Sequence, residues 1–192
     1  SYDDGSSWAV FQKNLPIVPI TDLKIKDNSL IVATQGRSIW ILDDLTVLHQ
    51  IQSKKVSKQT ILYKPKQSYR IKGGGGKSSL TAGTNLPNGV IVHYFLKKFN
   101  SEKDKIELQF KSIDGKIIKK YSSSDNKNKL NIKEGGNSFV WDTRYDGAEK
   151  LEGMIFWSAS FSGAKAVPGS YIVSLLVNGE EQSQNFDILA DP

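Results

Sequence analysis

Cysteine is absent from the 192 residues, which excludes disulfides, thiolate metal sites and a cysteine nucleophile and suits a cytosolic or an exported protein equally. Histidine is scarce. His49 and His93 are the only two, neither has a second ligand near it in sequence, and a zinc site needs three or four, so both read as packing or surface residues. Arginine is confined to Arg37, Arg70 and Arg144. The longest apolar runs, Ile17-Val18-Pro19-Ile20 and Ser38-Ile39-Trp40-Ile41-Leu42, are far too short to cross a bilayer, and nothing near Ser1 has the layout of a signal peptide. The chain opens at Ser1 inside what reads as a structured motif, without an initiator Met, so a piece cut from a longer protein is expected.

What is present is a lysine-rich, mixed-charge surface over a sizeable apolar fraction. Basic residues number 26 against 20 acidic ones, a net charge of +6. Lysine recurs through both halves instead of forming one stripe, and the arginine forks and stacking aromatics of a nucleic-acid reader are missing. The expectation is a solvated surface and no nucleic-acid partner. With 38% apolar and 10% aromatic residues, the chain can fill a core and suits one or two domains.

Strand signals dominate, because β-branched and aromatic residues come in short runs bounded by Gly, Pro, Asn, Asp and Ser. Residues 1–52 hold expected strands at Ala9–Phe11, Ile20–Ile25, Leu30–Thr34 and Ser38–Leu42, the spacing of a four-stranded propeller blade. Leu42–Ile51 comes nearest to a helical period, but its Thr46-Val47 pair and its alternation fit a strand as well. Residues 53–80 read as a linker and loop rich in Lys, Gly and Ser and contain the run Gly73-Gly74-Gly75-Gly76. Residues 81–192 read as a sandwich of antiparallel strands at Val90–Leu96, Lys105–Ser112, Lys116–Tyr121, Asn137–Asp142, Gly169–Val177 and Gln182–Leu189. Hairpin turns are expected at Asp114-Gly115 and Asn178-Gly179.

The most specific local pattern is Ser1-Tyr2-Asp3-Asp4-Gly5-Ser6-Ser7-Trp8. In it Asp3 can accept hydrogen bonds from the turn's amides, Gly5 can take positive φ, and Trp8 can fold back over the hairpin. This resembles the Asp-box (BNR repeat) of bacterial neuraminidase-repeat and sortilin-like propellers, with Ser1, Asp3, Gly5 and Trp8 on the motif positions. In those families the Asp-box is a folding element at the edge of a blade. Leu15–Leu23 with Ile31–Leu45 is similar to the last blade of large bacterial sortilin-like proteins labelled glycosyl hydrolases. Gly135–Tyr145 with Val167–Tyr171 looks like the sandwich module that follows that blade. The resemblance implies an immunoglobulin/fibronectin-III-like β-sandwich preceded by a partial β-propeller blade, a parent exported to the periplasm, cell surface or medium, and the remaining blades as partners.

No constellation reads as catalytic. A sialidase-type site would need three arginines on one carboxylate, whereas Arg37, Arg70 and Arg144 fall in the blade, the linker and the sandwich. Gly76-Lys77-Ser78 matches the end of a phosphate loop, but Ile71 stands where its first glycine belongs. Asp43-Asp44 and Asp125-Asn126-Lys127-Asn128 lack the alternating spacing of a calcium loop, so neither metal nor cofactor is expected. The carboxylates Glu134, Asp142, Asp146, Glu149 and Glu152 lie in a loop-like region, with Asp142 placed to cap a turn or pair with Arg144. Trp141, Phe156, Trp157 and Phe161 make either core or a platform on which sugar rings stack. The reading is therefore an accessory structural module, with a carbohydrate-binding module and a glycoside hydrolase domain as alternatives. A lone blade would expose apolar faces, so self-association is also expected.

Overall fold

The computed structural model of the chain describes residues 1, 3–53, 60–71, 83, 85–149, 153 and 160–192. Among the described residues the protein is all-β, with a single short helix. It divides into two compact units, Ser1–Val56 and Ser57–Pro192.

In the first unit, β1 (Ile20–Lys26), β2 (Ser29–Thr34) and β3 (Ile39–Leu42) form an antiparallel sheet in that order. Asp27 and Asn28 turn the first hairpin with φ of 48° and 63°, the two positive values that a tight two-residue turn demands and that Asx side chains tolerate. The sheet has three strands and not four. Ala9–Phe11 stays outside it, and a turn closed by Leu15 N–H on Gln12 O at 3.0 Å follows at once.

The strand alternative for Leu42–Ile51 is also corrected, because Thr46–Ser53 is a helix, α1. Asp44 decides the matter. Its Oδ1 accepts from Thr46 N–H at 2.9 Å and from the Thr46 hydroxyl, capping donors that the first turn leaves open. Leu45 is buried beside this cap, and Asn28 Nδ2 reaches Thr46 Oγ1 at 2.7 Å, tying the helix start to the hairpin.

The second unit holds β4 (Thr60–Leu62), β5 (Ser68–Tyr69), β6 (Val90–Leu96), β7 (Ile106–Ser112), β8 (Ile117–Ser122), β9 (Gly135–Trp141), β10 (Gly169–Val177) and β11 (Glu180–Leu189). One sheet runs β5-β11-β10-β7-β8 and the other β4-β6-β9. All pairings are antiparallel except β5 with β11. The stretch assigned to a linker thus contributes β4 and β5. Ile61, Leu62 and Tyr63 are buried, and Gln182 Oε1 accepts from Leu62 N–H at 3.0 Å while its amide donates to Thr60 O at 2.9 Å. Both expected hairpins form, in two ways. Asn178 and Gly179 take φ of 52° and 92°, whereas at Asp114-Gly115 only Gly115 is positive and the register shifts between Phe110 and Lys111, the signature of a bulge.

Alternation along β6 buries Val90, Val92, Tyr94 and Leu96 and leaves the residues between them half-buried. Those four meet Leu108, Phe110, Val173, Leu175, Phe186 and Ile188 of the five-stranded sheet in one core. At its centre Phe110 of β7 stacks on Trp141 of β9 with ring centroids 4.4 Å apart. Each fully buried large apolar side chain contributes about 1.5–3 kcal/mol, and the polar atoms drawn in are satisfied. Trp141 Nε1 donates to Arg144 O at 3.1 Å, the Tyr171 hydroxyl to Val167 O at 2.6 Å, and the Ser174 and Ser183 hydroxyls pair at 2.8 Å.

Candidate functional site

Ser1 to Trp8 forms a self-bonded turn. Ser7 donates to Asp3 twice, from its amide to Oδ1 at 2.8 Å and from its hydroxyl to Oδ2 at 2.6 Å, and the Ser1 hydroxyl donates to Oδ1 at 2.9 Å. The Gly5 amide donates to Ser1 Oγ at 2.7 Å. With Asp4 and Gly5 at φ of 51° and 92°, the indole of Trp8 folds back so that its Nε1 donates to Gly5 O at 3.1 Å. These bonds, with the Ser7 hydroxyl foremost, hold the Asp3 carboxyl down at about 2. Asp3 spends both carboxylate oxygens on its own turn, so the motif is built to shape backbone.

The sheet of the first unit carries apolar side chains on both faces. Strand alternation and register put Leu23, Ile25, Val32 and Trp40 on one side, and on the other Ile31, Ala33, Ile39 and Ile41 beside the charged Asp22, Lys24 and Lys26 of β1. Leu23 is 60% exposed and Ile39 67%. A groove of about 440 Å³, lined by Ala9, Val10, Phe11, Leu45, Leu48 and His49 among others, lies in the same unit.

The proposed sugar platform does not assemble around Trp141. That ring is fully buried, as expected where the largest apolar side chain sits at the centre of two facing sheets. Phe161 is half-buried, and Phe156 and Trp157 lie outside the described residues. The Gly73–Ser79 run also lies outside them. The carboxylates are dispersed in local roles. Glu134 Oε1 accepts from Phe99 N–H at 3.2 Å, Asp146 pairs with Lys119, and Asp142 Oδ1 accepts from Arg144 N–H at 3.0 Å. Asp142 therefore caps a turn, with Oδ2 4.0 Å from Arg144 Nε. Glu149 is exposed and Glu152 lies outside the described residues. Asp125 Oδ1 accepts from Lys127 N–H at 2.8 Å, a turn bond. Among the described residues no group of three or more His, Asp or Glu is placed to hold a metal ion.

The arginines are closer than their sequence positions suggest. Arg70 follows β5, Arg144 follows β9, and both line one cleft of about 480 Å³ in the second unit together with Lys165 and Asp191. Arg70 falls in a stretch with the composition of a linker, but the parallel pairing of β5 on β11, fixed by Arg70 N–H donating to Leu189 O at 2.8 Å, carries it to the sheet end. No protein-family model matches the chain, and no curated protein or solved structure matches it.

Proposed function

We propose that the chain is a non-catalytic accessory module of a larger exported protein of the sortilin-like, glycosyl-hydrolase-labelled kind, its first unit a propeller blade and its second an immunoglobulin-like sandwich. The observation that carries this reading is the first unit's sheet, which exposes apolar side chains on both faces, Leu23 and Ile25 on one and Ile39 and Ile41 on the other. A sheet at the edge of a two-layer fold needs one apolar face, whereas a blade stacked between neighbours needs two. The Ser1–Trp8 turn supports the same reading through its closed set of bonds around Asp3.

Strand order supports the sandwich. In immunoglobulin lettering β4-β6-β9 corresponds to A-B-E, and β8-β7-β10-β11 to C′-C-F-G, with β5 as the short strand laid parallel on G. Tyr171 at the start of β10, with its hydroxyl on Val167 O four residues upstream, fits the tyrosine corner of such folds. The carbohydrate-binding alternative loses Trp141, one of its four aromatics, to the core.

The test is sedimentation velocity with binding of an apolar dye, on the chain and on Leu23→Lys and Ile39→Lys, one charge for each face. The expected result is concentration-dependent self-association or dye binding, reduced by either substitution with the melting of the second unit unchanged. A chain that stays monomeric, binds no dye and ignores both substitutions would overturn the reading.

A further inference from the structure

We infer that the cleft at the end of the second unit is a binding site for a small anion that also carries hydroxyl groups. This rests on the cleft alone and stands or falls independently of the accessory-module reading. Its lining gathers Arg70, Arg144 and Lys165 against the single carboxylate of Asp191, with apolar walls from Ile71 and Pro168. The volume, about 480 Å³, lies in the range of small-molecule pockets, and the mixture of apolar wall and a few polar groups is theirs too.

Two of the cations are held by backbone. Arg144 donates from a terminal guanidinium nitrogen to Gly163 O at 2.7 Å, and Lys165 Nζ donates to Ile71 O at 3.1 Å. Asp142, 4.0 Å from Arg144 Nε, offsets part of one charge. Most of the guanidinium's five donors remain for a ligand. Among the described residues Arg70 enters no ion pair, although three cations at one sheet end repel one another and an anion between them relieves that repulsion.

The class of anion follows from the charges. Guanidinium forks hold the oxygens of a carboxylate or a phosphate group bidentately. Asp191 on the same wall accepts from neutral hydroxyls. Positive charge therefore selects an anion, and the acid selects a hydroxylated body attached to it.

Isothermal titration calorimetry with glucuronate, glucose and inorganic phosphate as probes tests this. Glucuronate should bind saturably and more weakly as salt is raised, glucose should give no heat, and phosphate should bind less tightly than glucuronate. Arg70→Gln, an exposed side chain whose loss leaves the melting temperature unchanged, should weaken glucuronate by about tenfold or more, with Arg70→Lys recovering part of it. Asp191→Asn should narrow the gap between phosphate and glucuronate. Flat titrations with glucuronate, or binding that Arg70→Gln leaves intact, would overturn the site. Phosphate binding as tightly as glucuronate to the unaltered chain would overturn the assignment of its ligand.

Discussion

Removing the hydroxyl of Tyr171 tests whether the start of β10 is pinned by a side-chain bond or only by packing. The ring is 5% exposed, stacks on Phe186 with centroids 5.9 Å apart and meets the edge of Trp141 at 6.3 Å. Tyr171→Phe keeps all of that area and deletes one bond, the 2.6 Å contact with Val167 O. Because Val167 is itself exposed, water can reach its freed carbonyl. The loss is therefore the net value of one hydrogen bond, about 1 kcal/mol, and not the larger cost of an orphaned buried acceptor. Tyr171→Ala removes the ring as well and should cost about 3–5 kcal/mol. For a unit of this size, 1 kcal/mol corresponds to a fall in Tm of roughly 3–5 °C. Differential scanning calorimetry of the three proteins reads both steps. A Tyr171→Phe protein melting within about 1 °C of the original would refute the pin and leave packing alone to place β10. A loss as large as that of Tyr171→Ala would refute the claim that the carbonyl is resolvated.

Two pH predictions follow from the tyrosines and from Asp3. Burial pushes Tyr94 and Tyr121 up to about 12, so the folded state resists ionisation that the unfolded chain undergoes near its ordinary value of about 10. Their stability contribution is whole below pH 10 and is lost as pH rises toward 12; ultraviolet difference absorbance should show their ionisation only together with alkaline unfolding, and a reversible titration of all tyrosines near pH 10 in the folded state would contradict the burial argument. Asp3 is held down at about 2, so its turn is intact above the usual carboxylate range and opens as pH falls through about 2. The Ser7 amide resonance should follow that midpoint by NMR and should lose its protection in Asp3→Ala at all pH values, and a midpoint near 4 would show that the serine hydrogen bonds are absent in solution.

Strand positions in the second unit were legible because runs of β-branched and aromatic residues there are bounded by turn residues, and Val90–Leu96 and Gly169–Val177 emerge with the very ends that the pattern predicts. What pattern could not reveal was pairing across distance. Nothing near Ser68 announces that it lies parallel to Ile188, since a two-residue strand carries no periodicity and the contact is 120 residues away. That one pairing removes Arg70 from the linker and sets it in a cleft with Arg144. The helix at Thr46–Ser53 stays ambiguous in sequence for the opposite reason. Its period is present, but the β-branched Thr46-Val47 pair fits a strand as well, and only the bonds of Asp44 to Thr46 decide. Trp141 marks a third limit: the same aromatic run makes a core or a platform according to which neighbours face it, and only the opposing Phe110 decides. Local turn chemistry was thus readable residue by residue, as at Asp3 and Asn178, whereas the cleft depends on four chain segments that meet only after both sheets have formed. In this chain a binding site can be inferred only where long-range pairing is known, and the residues that would carry it are ones that sequence spacing had set apart.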